Sequence, residues 1–322
     1  HGINLRACTF NCQTLRVAAA LRIVTDQFAA EELSVAALQE TCRRPPPRCA
    51  EQWSRRKVGE YTCFFSHATS AGKAGTAIML SNTCPPVKII ARSSKKAPKH
   101  TCFNTADAAV LLATPRLLIL AVSAGALDFL VISAHVPDTN RKDQRAWLLY
   151  AKAEIEKRAT RRIVLLMMDS NITLLRNWEA AGLAKRRARR PANSACSESF
   201  ETFLLDASLE PAGAQPDDWC AESTRCSFVA RGSSTMNDYI AFSDHLKVHP
   251  GTLKILDQFD TPAAADDHLP VACLLTGQIT TCGAVTAFKP RYNRQAASSP
   301  GAAQVLQPLL SLCPTIPWPV EP

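Results

Sequence analysis

The sequence predicts an α/β fold, a sandwich whose sheets face each other with helices beside them. Three observations predict it. Fully apolar runs of strand length recur along the chain. Two segments repeat their apolar residues at helical spacing. The strand candidates stand close together, as antiparallel neighbours do, so sheets rather than a helical bundle form the core.

Leu5–Phe10 reads as a short buried strand ending at Asn11. Val17, Leu21, Val24 and Phe28 then recur every three or four residues, which predicts a helix. Val35–Leu38 is a second apolar run, ending at Gln39-Glu40. Further strands are expected at Tyr61–Phe65, Thr76–Leu80, Val87–Ile90, Ala108–Ala113, Leu117–Val122 and Phe129–Ala134. A helix is expected over Asp143–Arg158, with Leu148, Ala151 and Ile155 on one side. Ile163–Met167 is a wholly apolar strand running into Asp169. A helix at Ser199–Leu209 and strands at Cys226–Ala230, Asp238–Phe242 and Val271–Leu275 complete the pattern. From Gly277 the periodicity ends in proline-rich sequence. The expected organisation is one domain over 1–276 and a linker or tail over 277–322.

Composition narrows the function. An apolar fraction of 47% and a charged fraction of 20% favour a globular chain. Lys and Arg number 37 against 28 Asp and Glu, a surplus that suits a polyanionic partner. The 13 cysteines include no Cys-x-x-Cys pair, so neither a zinc site nor a compact disulfide framework is signalled, and reduced intracellular thiols are the simpler account. No run approaches the ~18 apolar residues of a membrane span. Gly72-Lys73-Ala74-Gly75-Thr76 lacks the spacing of a phosphate-binding loop, so no nucleotide cofactor is expected.

Polar, metal-competent residues fall at strand ends. Asn11, Glu40, His135, Asp169 and Asn171 each follow an apolar run, and Asp267-His268 precede the last one. Strand ends on one rim converge on a common cleft. Oxygen donors with imidazoles and no thiolate in register suit Mg²⁺, with Mn²⁺ as the substitute.

Phe10-Asn11 resembles the opening aromatic-Asn motif of the endonuclease/exonuclease/phosphatase family, which includes deoxyribonuclease I and the abasic-site endonucleases. Leu38-Gln39-Glu40 resembles its metal motif, and Gly75-Thr76-Ala77-Ile78 its Gly-rich strand entry. Ser133-Ala134-His135-Val136-Pro137 is similar to its histidine- or tyrosine-bearing strand end. Met168-Asp169-Ser170-Asn171, Asn237-Asp238-Tyr239-Ile240 and Asp267-His268-Leu269-Pro270-Val271 resemble its remaining motifs, in family order over residues 8–271.

The resemblance implies a four-layer α-β-β-α sandwich of deoxyribonuclease I type with two facing mixed sheets, and a role for each residue. Glu40 would be the principal Mg²⁺ ligand, with Asn11 orienting it and contacting the scissile phosphate, and Asp267 at or beside the metal. Asp169 would deprotonate the attacking water, and Asn171 would hold a phosphate oxygen. His268 would act as general acid/base or imidazolium, fixed by Asp238. His135 matches the second histidine of the deoxyribonuclease I branch, with Asp107 expected to orient it. Gln13 stands where abasic-site enzymes carry a second metal carboxylate, Met168 replaces a Gly, and Asn237 replaces an apolar residue.

The expected activity is DNA nicking of retroelement type on a double-stranded target. The alternatives are a phosphatase on small or lipid phosphoesters, or a degraded domain that binds nucleic acid without turnover. Lys185–Arg190 reads either as a solvated helix end or as a phosphate grip or nuclear-import signal. Arg43, Arg44, Arg48, Arg55, Arg56 and Lys57 are expected on the loops after Glu40, either solvated or flanking the cleft. The expected location is intracellular, and nuclear from the expected role together with the basic run Lys185–Arg190. The joint at Lys289–Arg294 and the tail suggest a reverse transcriptase further along, the chain being part of a longer polyprotein.

Overall fold

Two strand–helix–strand units set the frame. Parallel neighbours cannot be joined by a hairpin, so each such pair requires a crossover. β1 (Gly2–Asn11) crosses through α1 (Ala18–Ala30) to β2 (Val35–Gln39). The next strands are β3 (Trp53–Val58), β4 (Tyr61–Ser66), β5 (Ala77–Ser81), β6 (Val87–Ile89), β7 (Lys99–Thr101), β8 (Ala109–Thr114) and β9 (Leu117–Ala124). The second unit is β10 (Leu127–His135), α2 (Arg141–Ala159) and β11 (Ile163–Asp169). Then come α3 (Ser194–Asp206), β12 (Leu209–Pro211), β13 (Phe228–Ala230) and β14 (Ser233–Thr235). β15 (Asp238–Ser243), β16 (Lys247–Val248), β17 (Lys254–Ile255) and β18 (Val271–Gln278) close the fold.

This is a computed structural model, and it describes residues 2–45, 51–89, 99–174, 194–223, 226–230, 233–260 and 267–279. One compact unit spans His1–Ile279, and β18 runs to Gln278, two residues past the expected domain limit at 276. Residues 280–322 of the predicted tail, the basic run Lys185–Arg190 and Arg48 lie outside the described residues.

One sheet has the order β16-β18-β1-β2-β5-β4-β3, with β17 on β18 and the β6–β7 pair on β1. The other has the order β12-β15-β11-β10-β9-β8. Each is antiparallel except for its one crossover pair, so both are mixed, as expected.

Alternation along β1 assigns its faces. Leu5 and Ala7 belong to the core between the sheets, whereas Cys8 and Phe10 pack with Leu21, Val24 and Phe28 of α1. Phe10 and Phe28 both meet the Phe259 ring, at 5.2 and 5.3 Å. Leu148, Ala151 and Ile155 of α2 and Phe200 and Phe203 of α3 join the core of the six-stranded sheet. Covered on both faces, the central strands bury every position, which is why they read as continuous apolar runs. The layers are therefore α-β-β-α.

Two expectations need correction. Arg55, Arg56 and Lys57, read as loop residues, lie on β3 at the edge of the ten-stranded sheet. Charge on an exposed edge discourages pairing with another chain, and Arg55 also covers the Phe64 ring at 5.5 Å. The helix expected over Ser199–Leu209 starts earlier and stops at Asp206. Ser208 takes a positive φ of 54°, which breaks the helix and lets Leu209 enter β12.

Candidate active site

Strand register collects the site. In the six-stranded sheet His135 pairs with Asp169, and Asp169 with Asp238, so three functional side chains stand on adjacent strands at one level. On the facing sheet Asn11 pairs with Gln39, which places Glu40 one residue beyond the ladder. The two sheets meet at this rim through Asn11, whose Nδ2 donates to Asp169 Oδ2 at 2.8 Å.

Gln39 reinforces that junction and was overlooked as a site residue in the sequence. It accepts from Thr9 Oγ1 at 3.3 Å and donates to Ser133 Oγ and the Met167 carbonyl, both at 3.4 Å. A fully buried amide needs such partners, and here they tie one sheet to the other.

Asp169 is completely buried. Burial raises its carboxyl above the usual range, and the neighbouring Asp238 charge adds to this. His135, His268 and the Asn171 N–H, which donates to Oδ1 at 2.9 Å, pull the other way. The result is a carboxylate of enhanced basicity. Asn171 adopts a positive φ of 50° and donates its side-chain amide to the Val136 carbonyl at 2.9 Å.

His268 enters from the segment before β18, where it bridges to Phe228 and packs against that ring at 4.8 Å. Its Nδ1 lies 3.0 Å from Asp238 Oδ2. Burial opposes a charge on this ring, yet Asp238 outweighs it and the pKa is pushed up to about 9. Ser227 was visible in the sequence only as part of Cys226-Ser227-Phe228. It donates to Asp238 Oδ2 at 2.7 Å and accepts from the Asn237 and Asp238 amides at 3.1 Å. Asp238 Oδ1 is buried without a partner among the described residues.

His135 sits between Glu40 and a second overlooked residue, Arg116. Nε2 lies 3.2 Å from Glu40 Oε1 and 3.8 Å from Asp169 Oδ2. Arg116 Nη1 is 3.1 Å from Nδ1 and 3.4 Å from Nε2. A guanidinium can only donate, so the nearer nitrogen, Nδ1, accepts and Nε2–H is directed at Glu40. The Arg116 carbonyl also receives the His135 amide at 2.9 Å, which fixes the β8–β9 turn against the strand end. Burial lowers the Arg116 pKa while Glu40 and Asp169 support its charge. Arg116 escaped the sequence reading because it lies on a turn far in sequence from every motif.

The structure does not bring Asp107 to this place. It precedes β8, whose first residue pairs through Ala121 with Leu130, five strand positions or roughly 17 Å from His135. Asp107 bonds instead with Asn104 Nδ2 at 2.7 Å on the surface. The acidic neighbours of His135 are Glu40 and Asp169.

Glu40 is far more open than Asp169 and Asp238, its side chain 35% exposed against 0% for both. Burial would raise its pKa, but bonds from His135 and Asn11 prevail and hold it below the usual carboxylate range. Asp267 is engaged by the Gln13 side-chain amide. Met168 is fully buried in the core, so a side chain fits where the family pattern has Gly. Asn237 accepts Ser170 N–H at 2.8 Å through its carbonyl, a backbone contact indifferent to its side chain.

Ligand-type atoms of Asp169, Asp238 and His268 lie within 4.8 Å of one another. One of those contacts is the Asp238–His268 hydrogen bond itself, so Glu40, open to solvent at the rim with the buried Asn11 beside it, is the better place for a hard divalent cation. Cys12 and Cys42 stand beside them, but burial raises both thiols, which disfavours the thiolate a soft metal needs. The oxygen donors fit Mg²⁺ or Mn²⁺.

No family model and no curated protein matches this sequence. Solved structures do. The chain is similar to the endonuclease domain of TRAS1, a telomere-specific non-LTR retrotransposon, at 13% identity and TM-score 0.49, over 85% of this chain and 98% of that one. It is also similar to the 3′ phosphatase NExo from Neisseria bound to a product DNA hairpin, at 16% identity and TM-score 0.52, over 84% and 98%. Likeness at such identity is likeness of architecture. Two facing mixed sheets, flanking helices and a shared rim give this chain the deoxyribonuclease I-like fold.

Proposed function

We propose that this chain hydrolyses phosphodiester bonds in DNA as a magnesium-dependent nicking endonuclease. The observation that carries this reading is the convergence of Asn11, Glu40, His135, Asp169, Asp238 and His268, from separate segments, around one rim. Glu40 and Asn11 would hold Mg²⁺, or Mn²⁺ in its place, which supplies charge stabilisation at the phosphoryl group. Asp169, made basic by burial and held by Asn11 and Asn171, takes the proton of the attacking water. His268, cationic near neutral pH, faces the phosphate oxygens and gives its proton to the leaving 3′ oxygen. Arg116 binds a non-bridging oxygen on the other flank with a guanidinium donor not given to His135, while His135 holds Arg116 and Glu40 in place.

The test incubates supercoiled plasmid with the protein in Mg²⁺ or chelator, beside Glu40→Ala and His268→Ala. Nicked circles that appear only with Mg²⁺ and vanish in both variants support the reading. Phosphate release from a small monoester without nicking would replace it by a phosphatase. Salt-dependent DNA binding with no turnover would replace it by a degraded binding domain. The retroelement setting is tested by reading the gene beyond Pro322 for a reverse transcriptase.

A further inference from the structure

The two loops that leave the rim after Asn11 and Glu40 carry cations that the proposed chemistry leaves unused. Arg16 follows Asn11 by five residues, and Arg44 follows Glu40 by four. Backbone bonds join these loops to each other and to the β4–β5 loop. Leu15 N–H donates to the Thr41 carbonyl at 2.9 Å, Cys42 N–H to Ala74 at 2.8 Å, and Ala68 N–H to Arg43 at 2.8 Å. Arg43 anchors the assembly, donating to the Leu15 carbonyl at 3.0 Å with its guanidinium over the Phe65 ring at 4.9 Å.

On this platform Arg16 and Arg44 converge on Gly72. Arg16 Nη2 donates to the Gly72 carbonyl at 3.0 Å. A Cβ on Gly72 would stand 3.0 Å from Arg44 Nε and 3.4 Å from Arg16 Nη2, so the missing side chain makes room for both guanidiniums. Gly72 also has φ +74°, which the turn from Thr69 to Lys73 requires and which a side chain disfavours. Both arginines are exposed, as is Lys73 beside them. Among the described residues, no carboxylate forms an ion pair with any of the three. Like charges gathered without a counterion repel one another, and an anion seated between them relieves that repulsion.

Resting on the nuclease reading above, we infer that Arg16 and Arg44 form a clamp for a second phosphate, one on the same polynucleotide backbone as the phosphate being cleaved. A substrate that reaches both places carries at least two phosphates along a chain. The clamp thus selects nucleic acid over a small monophosphoester.

The experiment measures binding of a short fluorescent DNA duplex in chelator, so that turnover does not intrude, across a range of salt concentrations. The variants are R16A/R44A and the charge-retaining R16K/R44K. K88A/K247A serves as a control, since it removes equal charge at the opposite end of the ten-stranded sheet. We expect R16A/R44A to bind about tenfold more weakly, with a log–log salt slope shallower by about 1, the signature of one lost phosphate contact. R16K/R44K should keep the slope, and unfolding midpoints should match wild type. A salt slope in R16A/R44A no different from that of K88A/K247A overturns the clamp. If wild type hydrolyses no phosphoester, the nuclease reading fails by itself, and the binding data still decide whether the clamp exists.

Discussion

At Asp238 one carboxylate oxygen receives both His268 and Ser227, while the other is buried and unpartnered among the described residues. Ser227→Ala removes the donor and leaves the Asn237 and Asp238 amides without an acceptor. We expect a loss of about 1–3 kcal/mol in denaturant unfolding and a weakened hold on His268. His268 carries a pH signature. Its folded pKa is raised from 6.5 to about 9, so the stability it contributes is fully present below about pH 6.5. That stability declines as pH rises and is gone above about 9. The difference in unfolding free energy between wild type and His268→Gln should therefore shrink between pH 6 and 9, by on the order of 3 kcal/mol. A constant difference across that range would contradict the assignment. Activity should fall with loss of the same proton, and His268→Ala should reduce nicking by roughly 10²–10⁴-fold.

Among the elements, the loops after β2 and before β5 position Glu40. Gly75 has φ +94°, and a Cβ there would lie 2.7 Å from Thr41 Oγ1, in the residue next to Glu40. Gly75→Ala is expected to cost about 1–3 kcal/mol through strain and to displace the Glu40 loop. Differential scanning would show the first effect, and a raised Mg²⁺ requirement the second. At the sheet junction Gln39→Ala strips Thr9 of its acceptor and leaves a gap between the layers, at a cost of about 2 kcal/mol. The central elements were legible in the sequence because burial on both faces writes itself as unbroken apolar runs. β3, whose Ser-Arg-Arg-Lys run shows neither a strand's alternation nor an apolar core, was not. Its strand character comes from pairing with β4, a partner that local propensity does not report.

For the molecule as a whole, a divalent cation that binds only the folded form must stabilise it by mass action. We expect Mg²⁺ at about a hundred times its Kd to add about 2.7 kcal/mol, seen as a raised unfolding midpoint that chelator reverses and Glu40→Gln abolishes. Absence of any Mg²⁺-dependent shift in wild type would count against a cation at Glu40 and Asn11. The covered sheets and the rim sit at different levels of this architecture. The core fixes strand register, and register in turn decides which polar strand ends meet.

The sequence by itself determined the layered α/β fold, the crossover helices and the identity of most rim residues, because burial pattern and motif order are local or ordered along the chain. Only the tertiary structure decided who touches whom. It set Arg116 and Glu40 on His135 and left Asp107 on the far side. It also put Gln39 between the sheets, set Ser227 under Asp238 and brought Arg16 beside Arg44. Those contacts join residues separated along the chain, and strand register and loop closure bring them together in ways that no neighbouring residue in sequence encodes.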